Sequence, residues 1–177
     1  MALRRMRLLE VAVVVAIVAI LYGVLSSRLV VLGERAERAA VQGMLGQLKQ
    51  QLNIKLAQYY IAGNKDLQSL QAENPFMWLE RPPENYRGEL ASLVDIMNQP
   101  ETEVWFFDTS NRELVYKVNR HQFLTIEGQN QQILRFVLNL NQSAADKQGK
   151  AETATSTVYH GVFSTAVPFT WQIDTPP

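Results

Sequence analysis

His121 and His160 are the two imidazoles of this chain, and they are the natural starting point for acid–base or metal chemistry. Neither stands in a pattern that would use it. There is no HExxH, no GxSxG, no Walker-type glycine loop and no tight carboxylate cluster around either residue. A zinc-type site would need carboxylate ligands that the spacing does not supply. With no cysteine, thiolate metal sites, cysteine nucleophiles, iron–sulfur clusters and disulfides are all excluded. Both histidines therefore read as solvent-facing or hydrogen-bonded structural residues. No catalytic residue, cofactor or metal ligand is expected. The acid that stands out is Glu10, because it opens the most apolar run in the chain. On insertion scales a carboxylate at the bilayer centre costs about 3 kcal/mol, and less near an interface. At headgroup level Glu10 could be solvated and need no partner; the chemistry otherwise open to it is ion pairing, with a cation brought by a neighbouring chain.

The element that positions Glu10 is a helix. Val11–Leu25 contains no charge, and counting back to Leu8 gives 18 residues with one acid at the edge. As a helix that stretch is about 27 Å long, close to the hydrocarbon thickness of a bilayer. Arg4, Arg5 and Arg7 precede it, which also suits the basic start of a secretory signal, but Leu25-Ser26-Ser27 lacks a small-x-small cleavage pattern. A retained anchor is the reading adopted. Arg28, Arg35 and Arg38 follow the span, interleaved with Glu34 and Glu37, so the positive-inside rule keeps the N-terminus cytoplasmic and exports the rest. Gly23, inside the span, permits close approach of another helix.

Beyond the span, Val41, Leu45, Leu48, Leu52, Leu56 and Tyr59 recur at steps of three or four, which continues the same helix with one apolar stripe. The helix should run from near Arg4 to about Ala62, stop at Gly63-Asn64, and be followed by a short helix Leu67–Glu73 capped by Asp66. Residues 74–100 read as an irregular loop, because prolines and Gly88 punctuate them. Phe76, Met77, Trp78, Leu79 and Tyr86 nonetheless require packing, and Leu90–Met97 suits one or two helical turns. The period then changes. Residues 103–107 and 113–118 form a hairpin signal, and Gln131–Leu140 is a third strand expected to pair back onto Phe123–Glu127. Val158–Ala166 is the last long strand. Asn141–Ser156 is polar and reads as a mobile surface loop. The aromatics from Trp78 through Trp105, Phe106, Phe107, Tyr116, Phe136, Tyr159, Phe163 and Trp171 read as core, with one sheet face on the helix and the other partly exposed.

The N-terminal block Met6-Arg7-Leu8-Leu9-Glu10-Val11 resembles the start of type IV pilins and type II secretion pseudopilins. In these a short basic leader precedes a hydrophobic helix whose fifth mature residue is glutamate. The match places Met6 at the first mature position and Glu10 at the fifth. The family implies that Glu10 pairs with the N-terminal amine of an adjacent subunit, a pairing of opposite charges in low dielectric that would set register. Arg5 stands where the family's processing site has glycine. Together with Glu103–Asp108, Glu113–Tyr116 and Val167–Trp171, this makes the chain similar to non-cleaved, pilin-like biogenesis proteins of MSHA-type pilus systems.

The fold expected is α+β: a short basic tail or leader (1–7), a transmembrane segment (8–32) and a periplasmic head (33–177). The head would comprise helix 33–62, the irregular loop 74–100 and an antiparallel sheet within 103–171, as in pilins. The function expected is assembly by contact in a type IV pilus or type II secretion type machine. Glu10, Gly23 and Met6 are the interaction residues, and Arg5-Met6 is the processing site in question. Partners are other pilins or pseudopilins, inner-membrane assembly proteins and membrane lipid, with self-association as a homo-oligomer also compatible. The alternative is a bitopic scaffold of the alignment complex, dimerising through the stripe Val41–Tyr59. Seventeen basic against 17 acidic residues give no drive toward nucleic acid.

Overall fold

The computed structural model describes residues 2–63, 67–128, 132–144 and 157–172. One helix, α1, runs without interruption over Ala2–Ile61. No proline falls before Pro75, and the helix stops at Gly63, which takes the left-handed conformation (φ 66°) that an L side chain rarely adopts. A short helix α2 follows at Leu67–Ala72, as expected, while its expected cap Asp66 lies outside the described residues. Pro75–Trp78 is a 3-10 turn, fixed by the Asn74 side chain, which accepts the Phe76 N–H at 3.0 Å. Phe76 and Trp78 are buried by it, whereas Met77 points to solvent.

The stretch 74–100 is not irregular throughout. Tyr86–Leu90 is a strand, β1. Pro75, Pro82 and Pro83 precede the strand and Pro100 follows it, and Gly88 absorbs a register irregularity at φ 103°. A short helix α3 follows at Leu93–Met97, started by Ser92, whose hydroxyl accepts the Asp95 N–H. The hairpin is present as β2 (Val104–Asp108) and β3 (Glu113–Lys117). Its turn is held by Asp108, whose carboxylate accepts the N–H groups of Ser110 (2.9 Å) and Asn111 (3.2 Å).

The remaining strands are β4 (Leu124–Ile126), β5 (Ile133–Ala144), β6 (Thr157–Thr165) and β7 (Phe169–Trp171). The main sheet has the order β1-β2-β3-β5-β6, and β4 and β7 form a separate two-stranded sheet. Two expectations are corrected here. The main sheet is mixed, because β1 joins β2 in parallel while the other pairings are antiparallel. The segment around Leu124–Ile126 pairs with β7 near the chain's end, not with β5 across Gly128. Strand β5 instead lies between β3 and β6. The expected loop Asn141–Ser156 begins as strand through Ala144, and the rest of it falls outside the described residues.

Alternation along β2, β3 and β5 sorts the side chains onto two faces. Trp105, Phe107, Leu114, Tyr116, Leu134 and Phe136 face α1 and meet Val41 and Leu48. Val104, Phe106, Val115 and Ile133 face the other way, where Ile96 of α3 covers them with Leu93 and Met97. The second face is thus a core in its own right and not half exposed, since α3 roofs it. The stripe on α1 finds its partner within the chain: Leu52 and Leu56 pack with Leu70, Trp78 and Leu138.

Candidate functional site: a bare apolar helix and its carboxylate junction with the head

The four residues singled out in the sequence all lie on α1, but the structure does not gather them. Arg5 and Met6 belong to the helix, and their side chains lie outside the described residues. Met6 and Glu10 are one turn apart on one face by their i, i+4 spacing. Glu10 is exposed. Gly23 is thirteen residues further, about 20 Å along the axis, and a Cβ placed on it would meet nothing within 4 Å. Between them Val11, Val14, Val18 and Leu21 stand in the open, and so do Val24, Leu25, Leu29 and Leu32 beyond Gly23. By length and composition the helix is able to cross a membrane, and the apolar window that qualifies it has none of its residues buried against the rest of the chain. Ser26 near the end of this stretch donates its hydroxyl to the carbonyl of Tyr22, so it adds no open polar group.

The bare portion ends abruptly. Leu32 is 55% exposed, whereas Glu34, two residues on, is fully buried, and Glu37 is 6% exposed. These two acids sit one turn apart on the face that carries Val41, Leu48 and Leu52, so they enter the head together. What they meet is the loop that leaves β3. Glu37 accepts the backbone N–H of Asn119 on Oε1 (2.8 Å) and that of Arg120 on Oε2 (2.9 Å), and the Tyr116 hydroxyl also donates to Oε1 at 3.2 Å. Glu34 Oε1 accepts the Phe123 N–H and the Trp171 indole N–H, both at 2.8 Å. The loop has no strand partner for these N–H groups, and the helix carboxylates supply the acceptors that a buried backbone requires.

The guanidinium of Arg120 completes the junction. It lies 3.9 Å from Glu37 Oε2 and pairs with Glu103 Oε1, which also accepts from Asn119 Nδ2 at 3.0 Å. Its stem crosses the helix at Gly33, where a Cβ would stand 2.8 Å from Arg120 Nε. A side chain at position 33 would force the Arg120 stem to shift. Glu103 itself holds a left-handed backbone (φ 60°) at the start of β2, stabilised by Asn85 Nδ2 and the carbonyl of Lys117. Burial, followed by the charge of Glu37, its hydrogen bond and the charge of Glu103, pushes the Tyr116 phenol well above its ordinary range, against a smaller opposing effect of Arg120. Glu34 Oε2 is buried with no partner.

This arrangement fixes a head to a helix. Each carboxylate of the junction engages donors of the chain itself, and Glu34 is inaccessible to a substrate. Among the described residues no group of three or more His, Asp or Glu is placed to hold a metal ion. His121 is exposed and 2.6 Å from Gln132 Nε2, and His160 is exposed on β6. In the sequence Glu34 and Glu37 stand only as acids interleaved with the arginines after the span, and the junction they build is not among the expected sites. One signal was available: both fall in phase with the apolar stripe, which marks them as facing inward. Comparison with protein families, curated proteins and solved structures finds no match.

Proposed function

We propose that this chain is a pilin-like, membrane-anchored assembly component of a type IV pilus or type II secretion type machine, working by helix packing and head contacts and without catalysis. The observation that carries the reading is the division of α1. Its first half is bare and apolar, and its second half is part of the core of an α+β head. A bare apolar half-helix needs lipid and neighbouring helices to cover it, and the layout matches the family resemblance of Met6–Val11. In this reading the N-terminus is cytoplasmic, the head is periplasmic, and Glu10 meets a cation of a neighbouring subunit near the membrane interface. Gly23 offers the flat place at which another helix approaches. The stripe that an alignment-complex scaffold would use for dimerisation is already covered by the chain's own sheet and by Trp78 and Leu70, so that alternative lacks its expected surface.

The test is photo-crosslinking from positions 14 and 23 in membranes of a host that assembles such fibres. Adducts with pilin or pseudopilin subunits are expected, with yield reduced by Glu10→Gln while insertion is unchanged. Adducts confined to lipid, together with unchanged fibre assembly in the Glu10 variant, would remove the assembly role. Intact mass of the membrane-extracted chain adds the processing state: a start at Met6 places it in the fibre, and a start at Met1 or Ala2 makes it a permanent membrane component.

A further inference from the structure

Read along the sequence, the segment after the span is a near-neutral mixture: Arg28, Glu34, Arg35, Glu37 and Arg38. Folding separates the signs. Glu34 and Glu37 turn into the head and are engaged there by Phe123, Trp171, Asn119, Arg120 and Tyr116. Arg28 is exposed, and Arg35 and Arg38 are half-buried and not turned fully into the head. Arg87, Arg120 and Arg135 each have a carboxylate partner, in Glu101, Glu103 and Glu113. Among the described residues, Arg28, Arg35 and Arg38 have none. Helix spacing would let Arg38 reach Glu34 one turn away, but that acid faces the head.

At 3.6 residues per turn, Arg28 and Arg35 lie about 20° apart around the axis and Arg38 about 60° further. They form one arc, with Arg28 and Arg35 turned about 100° or more from Glu34. Their depth follows from the same arithmetic. Arg28 sits among the exposed apolar residues Leu25, Leu29, Val30 and Leu32, so it lies at the outer edge of the apolar stretch. Arg35 is about 10 Å and Arg38 about 15 Å further along the axis. Phospholipid phosphates occupy the band just outside the hydrocarbon core, and long arginine stems reach into it from either side.

We infer that the arc Arg28, Arg35 and Arg38 binds the phosphates of anionic phospholipids in the leaflet through which α1 leaves the membrane. An unpaired guanidinium at headgroup depth gains a charge-assisted, two-pronged contact with phosphate. Glu34 and Glu37 are engaged by donors of the head, with Arg120 beside Glu37, so neither carboxylate competes with phosphate for these guanidiniums. An acidic protein segment would satisfy the same charge but not the depth of Arg28, which lies between apolar side chains. The inference rests on the membrane-anchored reading above.

The experiment uses the full chain purified in mild detergent. Phosphatidylglycerol and phosphatidylcholine are titrated in turn, and bound lipids are counted by native mass spectrometry. Wild type is expected to bind phosphatidylglycerol at least about tenfold more tightly than phosphatidylcholine, as three juxtamembrane arginines would give. Arg28→Gln/Arg35→Gln/Arg38→Gln should lose that preference. The corresponding triple Lys variant should keep most of it, which guards against a merely misfolded Gln variant. Arg112→Gln, at the opposite end of the sheet, should not change it. Equal binding of the two lipids by wild type, or a preference that survives in the triple Gln variant, would overturn the inference. So would tight binding of polyglutamate with no lipid preference, which would point to an acidic protein partner. Release of the protein from native membranes by alkaline carbonate is a separate result, since it would remove the anchored reading itself.

Discussion

Trp171 donates its indole N–H to Glu34 Oε1 at 2.8 Å, joining residues 137 positions apart at the level where the helix enters the head. Phe123 N–H binds the same oxygen, and Oε2 is left buried and unpartnered. Glu37, one turn on, uses both oxygens. The two acids should therefore respond differently to the same substitution. Glu34→Gln keeps the accepting oxygen and replaces an orphan, and is expected to change head stability by less than about 1 kcal/mol. Glu37→Gln turns an amide toward a backbone N–H and removes a charged acceptor from two others, at about 2–3 kcal/mol. Guanidinium denaturation followed by tryptophan fluorescence measures both. Equal losses would show that the junction does not act through its second oxygen.

A second contact binds the helix to the edge of the sheet. Gly161 of β6 lies beneath Leu52, and a Cβ at position 161 would stand 2.5 Å from Leu52 Cδ2 and 2.9 Å from Leu140 Cδ2. Gly161→Ala should destabilise the head by about 1–3 kcal/mol through overpacking. Leu52→Ala should cost about 2–5 kcal/mol through the cavity it leaves. Made together, the two should fall short of their sum by at least about 0.5 kcal/mol, because the truncated leucine makes room for the new methyl. The rescue is partial, since Leu140 still crowds the site. Strict additivity in a double-mutant cycle would mean that α1 does not sit on β6 in this way.

The parts of the fold that were legible in the sequence are those whose signal is local. Val41, Leu48, Leu52 and Leu56 announce a buried helix face by period alone, and all four are buried. The hairpin of β2 and β3 shows as two β-branched and aromatic runs around an Asp-Thr-Ser-Asn turn. What was not legible depends on pairing between distant segments. Strand β1 is five residues long, follows two prolines and contains Gly88, so nothing in its own composition marks it, and its parallel partner lies beyond α3. Leu124–Ile126 looks like a neighbour of the strand that follows it, yet it pairs with Phe169–Trp171. The site divides the same way. The apolar run and Glu10 are visible in the letters, but the junction depends on the loop Asn119–Phe123 exposing N–H groups that only the folded head reveals.

Glu113 and Arg135 form a partly buried ion pair across β3 and β5. Arg135 donates Nε to Glu113 Oε2 at 2.6 Å and a terminal nitrogen to Oε1 at 3.0 Å. The side chains are 10% and 17% exposed, so solvent screens the pair little. Arg135→Lys keeps the charge and loses the fork, and should cost about 1 kcal/mol. Arg135→Ala leaves the Glu113 carboxylate without its partner and should cost about 3 kcal/mol. Thermal unfolding of the two variants should rank them in that order, and a lysine variant as unstable as the alanine variant would show that geometry, not charge, carries the pair.

Tyr116 makes stability depend on alkaline pH. Its phenol is raised by burial first and then by Glu37, and Tyr86 is raised in the same direction by burial and Glu89, against its hydrogen bond with Asn74. In the unfolded chain a tyrosine ionises near pH 10. The folded form therefore holds a proton that the unfolded form loses. The stabilisation that goes with the proton is complete below about pH 10, and above it declines by up to about 1.4 kcal/mol per pH unit for Tyr116. Tyr116→Phe removes this dependence along with the hydrogen bond to Glu37, which is worth about 1 kcal/mol at neutral pH. Wild type should be the more stable protein at pH 7, and the two stability curves should converge and cross near about pH 11. Denaturant midpoints of both proteins across the alkaline range measure this directly. A gap that stays constant with pH would mean that Tyr116 ionises as readily in the folded head as in the unfolded chain.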